Sequence, residues 1–217
     1  MAGWLKWTLA LLLIGSLGVT SAPALAQSPG EGEIVEAGMP GSTAQLLAAD
    51  EDAVTFRVQV PWQQLQVETI AVEGATYAAV ALPGWAALQQ PGAPALPAHL
   101  EALGAPLGAE VAVEVTPGPA HIVPLPAPVM PAARQELDWE LPDPVTGELS
   151  EPTPRVVIEP DPAIYDDETS FPQALAVLSN DGMLRQQRVL GVEARPVQYA
   201  PTRGELTIYE WLQVTVR

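Results

Sequence analysis

The sequence has no cysteine, only two histidines, and nine basic residues against 26 acidic ones. The missing thiols exclude disulfides, thiolate metal centres, a cysteine nucleophile and a lipid-modified cysteine at the start of a mature chain. A net charge of −17 argues against a nucleic-acid surface, because every phosphate would be repelled. Helical patterning is also wanting. Beyond residue 26 no stretch of a dozen residues repeats apolar side chains at helical spacing, and 86–90 offers at most a turn. There is no G-x-S-x-G elbow, no phosphate-cradling loop and no D-x-[DN]-x-[DN]-G calcium pattern.

What is present is apolar material and turn residues. Nearly half of the 217 residues are hydrophobic, enough for a packed core in one large domain or two small ones. The 24 prolines and 17 glycines stay below the roughly 25–30% of a low-complexity chain. The first 26 residues have the pattern of a secretory signal. Lys6 supplies the positive region, 7–19 is apolar, and Ala24-Leu25-Ala26 places small residues at the cleavage site. The apolar run is shorter than the about 20 residues of a membrane span, and Pro23 ends it; the alternative is an uncleaved anchor. Cleavage near Ala26 is expected to leave a flexible lead at 27–32, then a domain over 33–217, secreted to the extracellular space and free of the membrane.

Period-two alternation marks strands. Val54, Phe56, Val58 and Val60 share one face, and Val111, Val113 and Val115 repeat the pattern. Near the end, Leu206, Ile208, Leu212, Val214 and Val216 line one side of a long strand that only Glu210 interrupts. Thr207, Tyr209, Trp211, Gln213 and Thr215 line the other, and the aromatics there predict cover on both faces. Segments 66–73 and 77–82 flank Gly74 as a hairpin. Residues 174–179 lead into Asn180-Asp181-Gly182, which has the chemistry of a tight turn. The chain is expected to return through 184–199, turn again at Thr202-Arg203-Gly204 and close a three-stranded meander. The predicted fold class is all-β, an antiparallel sandwich or jelly-roll-like domain.

One region differs. Thirteen of the 24 prolines fall between Pro117 and Pro172, and from Glu136 to Glu168 there are 11 acids against one base, Arg155. Proline has no amide donor, so a long acidic, proline-rich loop is expected over 126–170, outside any sheet interior. Such a segment is either solvated or ordered only against a partner.

Chemistry is sparse. His99 and His121 stand beside prolines with no nucleophile to activate and are expected to be exposed structural residues. Asp161, Asp166, Asp167 and Glu168 are candidate cation ligands by residue type alone, and Asp50-Glu51-Asp52 reads as a charged turn. Pro91, Pro94 and Pro97 predict a rigid crossing loop. A hydrolase using Asp166 and Glu168 lacks a third orienting group. A secreted adhesion or ligand-binding domain remains an alternative, with Trp62, Trp85 or Trp139 as stacking surfaces for sugars. No cofactor is expected.

Several segments are distinctive in order and spacing. Leu82-Pro83-Gly84-Trp85 is followed by Pro91-Gly92-Ala93-Pro94-Ala95-Leu96-Pro97 and by Leu107-Gly108-Ala109-Glu110-Val111-Ala112-Val113-Glu114-Val115. Gly182-Met183-Leu184-Arg185, Pro196-Val197-Gln198-Tyr199 and Thr202-Arg203-Gly204-Glu205-Leu206-Thr207-Ile208-Tyr209 complete the series. Together, over 33–217, they resemble the N-terminal propeptide of gingipain-type cysteine peptidases. Gly84 and Gly92 let the backbone turn around the rigid prolines, Pro196 fits an edge or a bulge, and Tyr199 and Tyr209 are placed to pair across the turn between them. Where that family often has Asn-Pro after the tyrosine, Ala200-Pro201 stands here, a change of turn cap.

The resemblance implies a β-rich domain that accompanies folding of a cysteine peptidase and keeps it latent until cleaved. The catalytic Cys and His would belong to that partner domain, downstream in cis or supplied in trans. A partner preferring basic residues, as the resemblance implies, would take Arg134 or Arg155 in its specificity pocket. The sequence ends where such a catalytic domain is expected to be approached, as in a fragment of a longer precursor or a free-standing propeptide-like protein.

Overall fold

The computed structural model describes residues 43–138 and 153–217, with the backbone alone at Asp138. The expected signal at 1–26, the lead at 27–32 and Trp139 lie outside the described residues. Fifteen strands are present among the described residues: β1 (Ala44–Ala49), β2 (Val54–Gln59), β3 (Gln66–Val72), β4 (Ala75–Ala81), β5 (Ala86–Ala87), β6 (Pro97–Ala105), β7 (Val113–Pro117), β8 (Ala120–Pro124), β9 (Arg134–Asp138), β10 (Thr153–Val157), β11 (Ala176–Leu184), β12 (Gln187–Ala194), β13 (Val197–Ala200), β14 (Glu205–Tyr209) and β15 (Trp211–Val216). One short helix, α1 (Pro162–Tyr165), lies between β10 and β11.

Two four-stranded sheets, β1-β2-β15-β7 and β11-β12-β6-β5, make the sandwich that the alternation predicts. Their inward residues meet in one core. Val54, Phe56, Val58, Leu212, Val214 and Val216 come from the first sheet, and Leu103, Ala105, Ala176, Leu190, Val192 and Ala194 from the second. A second core lies beneath the sheet β13-β14-β8 and the hairpin β3–β4, built from Val80, Leu82, Leu88, Leu96, Val129, Val197, Tyr199, Leu206 and Ile208. Trp85 packs against both.

The expected final strand is two strands in two sheets. Its alternation is intact, so Leu206 and Ile208 enter the second core while Leu212 and Val214 enter the first. The break falls at Glu210, and its antiparallel neighbour breaks at the same level, where Gly118-Pro119 separates β7 from β8. The Glu210 amide donates to the Pro119 carbonyl and the Gly118 amide to Trp211 O, both at 2.9 Å, so the paired segments bend together. Proline and glycine are suited to this corner, since neither requires a regular ladder position. The second face of the pair is half-buried: Trp211 lies under the Arg57 guanidinium, 4.4 Å from the ring centre.

The hairpin around Gly74 forms as expected, with Glu73 and Gly74 at φ of 50° and 86°. The turn at Asn180-Asp181-Gly182 does not. These residues are inside β11, and the tip is Arg185-Gln186, with Arg185 at φ 58°. A non-glycine residue there costs on the order of 1–3 kcal/mol, so something longer in range sets the register. Arg188 is that group. Its guanidinium grips the Asp181 carboxylate at 2.6 and 2.9 Å and also donates to the carbonyls of Pro106 and Ala109. A bulge at Ser179, whose hydroxyl donates to Gly191 O, absorbs the extra residue. The chain does turn at Pro201–Arg203, closed by Gly204 at φ 63°. The meander is divided, however: β11–β12, β13–β14 and β15 belong to three different sheets.

The hydrogen bonds from Arg188 hold the Asp181 carboxyl below its usual range. A carboxyl depressed in the folded state adds stability at pH above its unfolded value, about 3.9, and loses it as pH falls through the folded value. Acidification through that range is therefore expected to loosen the β11–β12 tip. Amide exchange should rise near Asp181 and Arg188 before it rises near the buried Val192, and Asp181→Asn should remove this pH dependence.

The expected loop over 126–170 is only partly a loop. Pro128 O accepts from the Ala78 amide at 2.7 Å and Met130 N donates to Ala78 O at 2.9 Å, placing the fully buried Val129 in the second core. Ala132 and Gly92 close a similar exchange with 92–95. Prolines fall where no amide is needed, so alternate residues still pair. This also corrects the reading of Pro91, Pro94 and Pro97 as a simple crossing loop: Pro94 is buried and bridged to Pro131, and Pro97 opens β6. Farther on, β9 and β10 pair into a ribbon. Residues 86–87 form β5 rather than a helical turn.

Candidate partner-binding site

The ribbon β9–β10 contains both arginines singled out in the sequence. Its register sets Arg134 opposite Val157, Glu136 opposite Arg155, Gln135 opposite Val156 and Leu137 opposite Pro154. Side chains alternate across a strand. One face therefore carries Arg134, Glu136 and Arg155, and the other Gln135, Leu137, Pro154 and Val156. Among the described residues neither strand is laddered to another sheet, so each keeps an outer edge there.

The two arginines are not equivalent. Arg134 is held by Glu136 at 2.8 Å and Glu159 at 3.2 Å. Arg155 is exposed and has no ion-pair partner among the described residues. Moving Arg134 into a foreign pocket would break these contacts, whereas Arg155 has no such ion pair among the described residues to give up. Arg185, at the strained β11–β12 tip, is a second exposed arginine without an ion-pair partner among the described residues. The favourable turn chemistry of Asn180-Asp181-Gly182, ahead of the true tip, hides it in the sequence.

The four candidate cation ligands surround α1. Asp161 caps the helix by accepting from the Ala163 amide at 2.9 Å. Asp166 ends it through its backbone amide, which donates to Pro162 O. Asp167 accepts from the Thr169 amide and hydroxyl at 3.0 and 2.7 Å, and these hydrogen bonds hold its carboxyl below the usual range. Glu168 follows on the exposed side. Among the described residues no group of three His, Asp or Glu side chains converges to hold a metal ion.

Helix α1 instead anchors the segment. The Tyr165 hydroxyl donates to Val129 O at 2.7 Å and its ring meets Tyr199 edge-on, so the ribbon is tied at its base to the second core. Burial pushes the Tyr165 hydroxyl well above the ordinary phenol range, which keeps it a neutral donor. Tyr199 and Tyr209 do not pair: Tyr199 lies opposite Leu206, while Tyr209 lies opposite Ala120 and its hydroxyl donates to Gln198.

The histidines are half-buried in strands rather than exposed in turns. His99 in β6 contacts Glu101 and Thr43 and lies beside Trp85. His121 in β8 contacts Glu210 at 2.8 Å and stacks on Trp62 at 3.7 Å between ring centres. That stack covers one face of Trp62, and Trp85 is wedged between the cores, which disfavours both as sugar platforms.

Comparison with known proteins gives this geometry its context. Residues 143–217, about a third of the chain, match the family model of the C25 propeptide (Propeptide_C25). No curated protein matches. The fold is similar to that of a chain in the complex of Porphyromonas gingivalis RgpB pro- and mature domains, with a TM-score of 0.57 and 19% identity over 82% of this chain and 84% of that one. It is also similar to a chain in a structure concerned with the zymogenic latency of gingipain K from Porphyromonas gingivalis, with a TM-score of 0.60 and 18% identity over 84% and 97% of the two chains. The C-terminal third of the chain therefore matches the C25 propeptide family, and the fold is similar to that of chains in two gingipain structures.

Proposed function

We propose that this domain is exported and holds a gingipain-type cysteine peptidase latent while assisting its folding, with the acidic, proline-rich segment laid across the partner's active-site cleft. The observation that carries this reading is the ribbon β9–β10, an extended segment that among the described residues is laddered to no other sheet and carries an exposed Arg155 without an ion-pair partner there. Peptidases bind extended chains by adding them to an edge. A strand already laddered to β9 meets that requirement but resists the distortion that cleavage needs. The acid excess around the ribbon steers it toward a basic rim. The partner is a separate catalytic domain, joined in cis or acting in trans.

The test is isothermal titration of the chain into mature gingipain K. Binding at micromolar strength or tighter is expected, with Arg155→Ala weakening it about tenfold, as for a lost charge-assisted contact, and Arg134→Ala weakening it less. Absence of binding by the unaltered chain would overturn the proposal, and an unaffected Arg155→Ala variant would remove that residue from the contact.

A further inference from the structure

We propose that the apolar face of the β9–β10 ribbon, formed by Leu137, Pro154 and Val156, is the strip by which this domain seats on the peptidase, against an apolar wall bordered by basic side chains. This rests on the latency reading above and names its contact.

The register places Leu137 opposite Pro154 and Val156 opposite Gln135, so the three apolar side chains share one face. Leu137 is 57% and Val156 55% exposed. A two-stranded ribbon is marginal by itself in water. Among the described residues this one lies outside the larger sheets, and Leu137 and Val156 are left exposed. A permanently solvated ribbon has no need of leucine, proline and valine on one side; a side that meets a partner does.

Charge selects the occupant. Glu136 lies on the ribbon, Glu159, Asp161, Asp166, Asp167 and Glu168 follow it closely in the chain, and Arg134 pairs with Glu136 and Glu159 alone among the described residues. Two such surfaces repel, which disfavours a second copy of this chain, whereas a basic border attracts. Arg155 lies on the opposite face. A ribbon inserted in a cleft therefore places its arginine on one wall and its apolar strip on the other, and the strip supplies desolvated contact area that a single exposed cation does not.

The experiment measures binding of the full chain to mature gingipain K for the unaltered protein, Leu137→Ser/Val156→Ser, Gln135→Leu and the control Leu100→Ser. Leu100 is 61% exposed but lies on a different sheet. The inference expects at least tenfold weaker binding for the double variant, tighter binding for Gln135→Leu, no change for the control, unchanged melting temperatures throughout, and weaker binding as salt rises. Equal binding by the double variant overturns the apolar strip and leaves the latency reading standing. Binding insensitive to salt overturns the basic border. Failure of the unaltered chain to bind overturns the latency reading and this inference with it.

Discussion

Leu212→Ala is expected to lower the unfolding free energy by about 2–5 kcal/mol, read as a lower denaturant midpoint with an unchanged slope. Leu212 is fully buried on β15, between β2 and β7, and packs into the core that joins the two four-stranded sheets. Deleting its branched end loses the transfer free energy and leaves a cavity that a sandwich core relaxes into only partly. Leu100→Ala, on an exposed face, is expected to stay within about 0.5 kcal/mol. If the two variants shifted the midpoint equally, the packing of these sheets against each other would be wrong.

Gly118→Ala is expected to destabilise by about 1–3 kcal/mol, although it adds one methyl group. The reason is space, not backbone freedom. A Cβ at Gly118 would fall 2.5 Å from Cε2 and 2.6 Å from Cδ2 of Trp211. That ring has little room to retreat, since Arg57 from β2 covers it. The substitution presses on the corner where the two paired segments pass from one core to the other. Its effect should appear both in the thermal midpoint and in a changed tryptophan near-ultraviolet spectrum. At Gly204 the opposite logic holds: nothing lies near a built Cβ, and the cost of alanine arises from its φ of 63°.

Much of the fold is written locally. The alternation at 54–60 and 206–216 marks the inward residues correctly because burial on one side of a strand imposes a period of two, and Glu73-Gly74 marks its own turn. What local pattern does not show is where a strand leaves its sheet. The corner at Glu210 depends on Gly118-Pro119, some ninety residues earlier in the chain. The tip at Arg185-Gln186 depends on Arg188 reaching both Asp181 and the carbonyls of Pro106 and Ala109, which outweighs the favourable turn chemistry of Asn180-Asp181-Gly182.

The site is legible in the same uneven way. Arg155 stands out in the sequence as the single base in an acid run, and it is exposed. The capture of Arg134 by Glu159 was hidden, because only the pairing of β9 with β10 brings Glu159 beside Arg134. Proline density suggested a loop over 126–170, yet alternate non-proline residues there supply enough amides for Val129 to be buried and for the ribbon to form. The apolar face of that ribbon is invisible until its register is known.

The role proposed for this domain is to hold a separate catalytic domain latent. Its most direct test is the rate at which mature gingipain K hydrolyses a small peptide substrate as the purified chain is added. A saturable fall to a small residual rate is expected, relieved when the chain is cut away; a rate unchanged at tens of micromolar chain would contradict the latency role.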